Sequence, residues 1–177
     1  RKHYADQPTG FEACAASLAT MTDSNFVDFT LTNPWRDGGR DAIGHYAISQ
    51  GGKVNYPLKI DCALEAKCYG PNSAVGVKQM SRLISRIRYR QFGIMMTTSF
   101  VDKQAYSEVV EDGHPILIVS ASDIAGILRH NSITSSNIDF YLKSIDEENE
   151  YYIEKTGYSK PLSEQLMIAE EFFDYKV

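Results

Sequence analysis

The chain has 177 residues, of which 43 % are hydrophobic and 23 % charged, and its formal net charge is −5. That balance excludes wholesale disorder, and no apolar run approaches the ~20 residues that a membrane helix needs. The length suits one domain with an appendage. No signal segment opens the chain. It starts at Arg1 rather than Met, so a fragment of a larger protein is expected.

Cys14, Cys62 and Cys68 are the three cysteines, and no two form a CxxC pair. An odd count without that spacing argues against a zinc ribbon or a disulfide framework, and a reducing cytoplasm is the expected location. The charge is segregated. Residues 139–177 hold 4 Lys/Arg and 10 Asp/Glu, whereas residues 53–90 hold 8 Lys/Arg and 2 Asp/Glu. A basic segment inside an acidic protein fits a nucleic-acid partner, and it fits equally a solvated basic helix beside an acidic tail.

In chain order, Pro8-Thr9-Gly10 marks the start of a helix whose apolar stripe is Phe11, Cys14, Ala15 and Leu18. Residues 25–32 alternate and are rich in aromatic and β-branched types, which predicts a strand. Residues 33–40 form a breaker-rich loop containing Trp35, Gly38 and Gly39. A second strand is predicted over 41–49 and a turn over 49–53. A long third strand lies within 54–68, with Leu58, Ile60, Cys62, Leu64, Ala66 and Cys68 on one face and Lys59, Asp61, Ala63, Glu65 and Lys67 on the other. A helix follows over 74–89, with Met80, Leu83, Ile84 and Ile87 on its apolar side and Lys78, Arg82 and Arg86 in a row at i, i+4 spacing. Then come a buried strand at 92–97, a helix at 102–110 capped by Asp102, a buried strand at 115–120 and a helix at 121–128. Two more helices are expected near 136–148 and 161–174. The order α-β-β-β-α-β-α-β-α predicts a mixed α/β (α+β) fold: a central mixed sheet containing a β-meander, flanked by helices on both faces. The expected division is a core over 1–134 and an acidic, helical extension over 135–177 packed on it.

Period-two geometry puts Glu65 and Lys67 on one strand face about 7 Å apart. A hairpin centred near residue 52 sets Asp41 opposite about residue 63, one diagonal step from Glu65. Two carboxylates with a lysine beside them suit a hard cation such as Mg²⁺, which takes oxygen ligands and commonly one or two carboxylates plus a substrate phosphate. Such a centre activates water and neutralises a phosphoryl oxygen. Lys67 would orient or deprotonate that water and stabilise developing charge. Glu12, one helix earlier, would reach the site as a further ligand or water-positioning base. Asp61 shares the strand face of Glu65 but lies about 13 Å away along it, too far to share one ion.

Gly10-Phe11-Glu12, Asp37-Gly38-Gly39-Arg40-Asp41, Leu64-Glu65-Ala66-Lys67-Cys68-Tyr69, Val75-Gly76-Val77 and Met96-Thr97-Thr98-Ser99 occur in that order. As a set, from about residue 10 to about residue 128, they resemble the Mrr-type restriction endonuclease catalytic domain of the PD-(D/E)XK nuclease superfamily. Arg40, rather than Pro, precedes Asp41, a departure from the written motif. The resemblance implies a Mg²⁺-dependent endonuclease acting on double-stranded DNA, with Mn²⁺ able to substitute. Asp41 and Glu65 would bind metal together with the Ala66 carbonyl. Lys67 would be the catalytic lysine and Glu12 the additional acid of the first helix. Some modification-dependent relatives carry Gln where this chain has Glu65. The resemblance also implies a restriction role of type II or type IV kind, products with 5′-phosphate and 3′-hydroxyl ends, and a homodimer for double-strand cleavage. Base recognition would sit in a separate domain.

Lys78, Arg82 and Arg86 are candidate DNA-phosphate contacts, or a solvated face. Gln79 is more readily a solvent-facing residue than an assistant to the site. His3, His45, His114 and His130 lack metal-ligand spacing and read as structural. Two other functions stay open at this level. One is a Holliday-junction resolvase or repair nuclease with the same active-site pattern, and the other is a DNA-binding module with a vestigial site.

Overall fold

A computed structural model describes residues 1–7, 9–32, 40–48 and 58–156, the last six of these as backbone. Helix α1 (Gly10–Thr22) leads into strands β1 (Phe26–Leu31), β2 (Ala42–Ile48) and β3 (Leu58–Lys67). Then follow β4 (Ala74–Val75), α2 (Val77–Ile84), β5 (Phe92–Thr97), β6 (Phe100–Val101), α3 (Lys103–Glu111), β7 (Ile116–Val119), α4 (Ala121–His130) and α5 (Ile138–Thr156). The main sheet has the order β1-β2-β3-β5-β7. The β1-β2-β3 meander is antiparallel, and β3, β5 and β7 run parallel. β3 is therefore the central strand, where the sheet changes from antiparallel to parallel.

The alternation along β3, β5 and β7 sorts their side chains between two cores. Cys62, Leu64, Ala66, Ile94 and Met96 face α1, α4 and α5. Ala63, Met95, Ile116 and Ile118 face α2 and α3. Each face is thus covered by helices, as the predicted mixed sheet requires. α1 buries Phe11, Cys14, Ala15, Ala16, Leu18 and Ala19; the small alanines let it lie close to the sheet. Gly44 on β2 has a packing reason to be glycine, since a Cβ there would stand 2.6 Å from the Phe29 ring.

The structure adjusts several predicted boundaries. The helix expected over 74–89 is shorter, because Ala74–Val75 pair with Phe100–Val101 as a two-stranded parallel ribbon and Gly76 then stands as the N-cap of α2. Arg86 consequently lies in the turn after α2, where its N–H donates to the Leu83 carbonyl (2.9 Å), and the i, i+4 row stops at Arg82. Leu58, assigned to the apolar face of β3, is exposed, because the α1-side core begins only at Cys62. Asp102 caps α3 as expected, its carboxylate accepting the Gln104 N–H (2.8 Å).

α5 packs against α1 and the segment before it: Ile145 is buried in the core, the Tyr141 hydroxyl donates to Ser17 Oγ (3.2 Å), and His3 contacts Asp146 (2.5 Å). The helix expected near 161–174 lies outside the described residues, as do Trp35, Gly38 and Gly39. Cys14 and Cys62 are buried and unpaired, and burial pushes both thiols up to about 12, so they behave as small core residues.

Candidate active site

The site forms at the C-terminal end of β3. Ala42 pairs with Leu64 across the hairpin, so Asp41, at the head of β2, arrives beside Glu65. The Asp41 N–H donates to the Leu64 carbonyl (2.9 Å), and Asp41 Oδ2 accepts the Ala66 N–H (2.7 Å). The register differs by two residues from the diagonal pairing expected from a turn centred at 52. A shift of two leaves every side chain on its own face, so the alternation could not detect it.

Glu65 is 0 % exposed. Its neighbours on the same face, Ala63 and Met95, belong to the core under α2 and α3. Lys67 Nζ stands 2.7 Å from Glu65 Oε1 and 3.5 Å from Asp41 Oδ2, and it donates to the Ala66 carbonyl at 2.9 Å. Three oxygens, from Asp41, Glu65 and Ala66, thus converge on one cation. Among the described residues neither Glu65 oxygen has an aligned hydrogen-bond donor, a costly state for a buried carboxylate. Burial raises the Glu65 pKa, and the Lys67 contact only partly offsets this while the Asp41 charge adds to it. For Lys67, burial favours the neutral amine, but the Asp41 and Glu65 carboxylates outweigh it and hold the pKa above its ordinary value. Lys67 is therefore a cation at neutral pH.

The other predicted residues are placed as follows. Glu12 lies in the first turn of α1, partly buried, on the helix whose buried face meets β3. Arg82 on α2 directs Nε to within 4.0 Å of Glu65 Oε1 while its side chain stays half-exposed. Lys78 is exposed on the same helix, and exposed Arg86 sits in the turn beyond it. Gln79 is not a free surface group. Its Oε1 accepts the Gly76 N–H (3.2 Å) and its Nε2 donates to the Tyr69 hydroxyl (3.3 Å), which ties the start of α2 to the segment after β3. Asp61 is half-exposed and engaged elsewhere, by His45 at 3.4 Å and by Gln91 Nε2 at 3.1 Å.

Two residues matter that no catalytic pattern names. Thr97 Oγ1 donates to the Lys67 carbonyl (3.0 Å) and Thr98 Oγ1 donates to the Tyr69 carbonyl (2.8 Å). The Thr98 N–H also reaches the Lys67 carbonyl (3.1 Å). Together they fix the backbone that carries Lys67. The signal was present in Met96-Thr97-Thr98-Ser99, but hydroxyls at a strand end have many uses, and only the parallel β3–β5 pairing reveals this one.

The donor set fits a hard divalent ion. Two carboxylates and a carbonyl supply only oxygen, one carboxylate is buried without aligned donors, and a positive charge already occupies their common focus. Among the described residues no group of three or more His, Cys, Asp or Glu side chains is arranged to hold a metal, so the set depends on the backbone carbonyl. No helix among the described residues is long and apolar enough to cross a membrane.

The fold has counterparts among known proteins. The chain is similar to the solved structure of the DNA modification-dependent restriction endonuclease AspBHI, at 49 % identity and a TM-score of 0.73, over 84 % of this chain and 38 % of that one. It is also similar to the MspJI restriction endonuclease, solved in complex with a 27-mer oligonucleotide, at 25 % identity and a TM-score of 0.72, over 81 % of this chain and 33 % of that one. The chain thus spans about a third of the length of each, 38 % and 33 %. No relative was found among curated proteins. The restriction endonuclease family Mrr_cat matches residues 5–128, which cover the meander, the Asp41-Glu65-Lys67 cluster and most of α4, and the chain belongs to that family.

Proposed function

We propose that this chain is the catalytic part of a Mg²⁺-dependent DNA endonuclease, a cytoplasmic enzyme of larger size that restricts modified DNA in the manner of type IV systems. The observation that supports it most is the convergence of Asp41, Glu65 and the Ala66 carbonyl on the single cation Lys67. The proportion of AspBHI and MspJI that the chain spans supports a separate recognition domain. Cutting both strands would require two such centres, and we propose a homodimer on that ground.

Asp41, Glu65 and the Ala66 carbonyl would hold the ion, with Mn²⁺ as a substitute. When bound, it supplies Lewis-acid charge at a phosphoryl oxygen and lowers the pKa of water. The Ala66 N–H fixes one Asp41 oxygen. Lys67 acts as a cation: it orients the attacking water and stabilises the charge that builds on the phosphorus oxygens. Its raised pKa favours this role over that of a base, which needs the neutral amine. Glu12 would position water from the α1 side. Arg82, with Lys78 and Arg86 beyond it, would neutralise phosphates next to the cut.

The test is plasmid nicking and linearisation with Mg²⁺, Mn²⁺ or EDTA, on methylated and unmethylated DNA. Metal-dependent cutting by the wild type, lost in Asp41→Ala and Lys67→Ala, is expected. Cutting that survives both substitutions would overturn the assignment.

A further inference from the structure

The charge of the 53–90 segment does not end at the active site. After α2 the chain turns back to β5 through residues 85–91, and Arg86, Arg88 and Arg90 are all exposed on that turn. Among the described residues none of the three is in an ion pair with a carboxylate. Asp61, the acid next to the turn, is already engaged by His45 and by Gln91.

The turn is also built to hold one shape. Gln91 Oε1 accepts the Arg88 N–H (3.0 Å), the Gln91 N–H donates to the Arg88 carbonyl (3.0 Å), and Gln91 Nε2 anchors the turn to Asp61 (3.1 Å). Arg90 sits at φ +66°, the left-handed region that a non-glycine residue rarely adopts. Its guanidinium lies over the Tyr89 ring at 5.2 Å, and Tyr89 is 88 % exposed. An exposed loop that spends backbone strain to display guanidinium groups with no carboxylate partner among the described residues presents them to an anion outside the chain.

Distance identifies that anion. Asp61 and Glu65 share a face of β3 four residues apart, so the turn stands roughly 13 Å along the sheet from Glu65. Phosphates of one DNA strand advance by ~3.4 Å per base pair along the axis. Arg82, on α2, leads from the site towards the turn. We propose that the Arg88–Arg90 end of this turn is a second phosphate clamp that grips duplex DNA about four base pairs from the scissile bond. This rests on the DNA endonuclease reading above. It assigns to Arg88 and Arg90 a sequence-independent share of the affinity, separate from the chemistry at Lys67.

The experiment measures binding of a labelled 30-base-pair duplex by fluorescence anisotropy in EDTA, over a series of salt concentrations. It compares the wild type with Arg88→Ala/Arg90→Ala, Arg88→Lys/Arg90→Lys and the distant control Lys143→Ala. Each lost phosphate contact lowers the slope of log K against log salt by about 0.9, so the double alanine variant should lose about 1.8. The double lysine variant should restore the slope, and Lys143→Ala should leave it unchanged. A wild-type slope in the double alanine variant, or a loss that lysine does not restore, overturns the clamp while leaving the nuclease reading intact. A wild type that neither binds duplex in this assay nor cuts it with Mg²⁺ overturns both.

Discussion

The two ends of β3 carry the same alternating pattern and meet opposite fates. Asp61 and Glu65 lie on one face of one strand. The Asp61 side chain is 52 % exposed and is shared by His45 and Gln91, whereas Glu65 is fully buried with Lys67 at 2.7 Å. The difference is what covers them. The core beneath α2 and α3 takes in β3 only from Ala63 onward, and the strand is not buried before Cys62, so the same residue class is a solvated surface acid at one end and a desolvated site at the other. Chemistry on this strand is made by the helices above it as much as by the strand.

The most severe way to break the comparison is at the chemistry. Lys67→Ala should lower the cleavage rate by roughly 10²–10⁴-fold, whereas Asp61→Asn should cost less than about fivefold; initial rates of supercoiled-plasmid cleavage measure both. Equal losses would mean that the buried end is not the reacting end.

Removing the cover comes next. Leu83, fully buried on α2, packs in the core that includes Ala63 and Met95, the residues flanking Glu65. Leu83→Ala should cost about 2–5 kcal/mol, or roughly 2–4 °C in Tm for each kcal/mol, read by thermal denaturation. At the meander, Gly44→Ala should cost about 1–3 kcal/mol because its methyl meets the Phe29 ring.

A smaller effect has the opposite sign. The Glu65 pKa is raised by burial, so in metal-free protein its contribution to stability is full below the unfolded carboxyl pKa and is lost as pH rises through the folded value. Glu65→Gln removes that loss. The variant should melt above the wild type in EDTA at pH 7–8, with the gap closing towards pH 4, while cleaving no DNA. Mg²⁺ should stabilise the wild type and not the variant. A lower Tm for Glu65→Gln in EDTA would show that the Lys67 pair outweighs the desolvation of Glu65.

Much of this was legible in the residues. Strict alternation over 58–67 fixed which side chains share a face, and the apolar runs 92–97 and 115–120 announced buried strands of a mixed sheet. Asp41, Glu65 and Lys67 stood out because charges on a strand with an apolar opposite face need a reason. What alternation cannot carry is a register shift of two, and so the direct approach of Asp41 to Glu65 emerged only from the folded hairpin. The two-residue strands Ala74–Val75 and Phe100–Val101 have no period of their own, so their pairing, and the shortening of α2, are tertiary facts. The anchoring role of Thr97 and Thr98 and the capping role of Gln79 are likewise set by partners distant in sequence.

Lys67 has one more consequence, for how the domain comes to exist at all. A small metal-built domain leaves its ligands repelling one another until the ion arrives, so metal supply decides whether it folds. Here the chain brings its own counter-charge: the ammonium of Lys67 reaches both carboxylates and the Ala66 carbonyl from two residues along the same strand. The central strand can therefore close around its acids without waiting for an ion to neutralise them, and on the nuclease reading proposed above the divalent ion would be left to decide only when cutting begins.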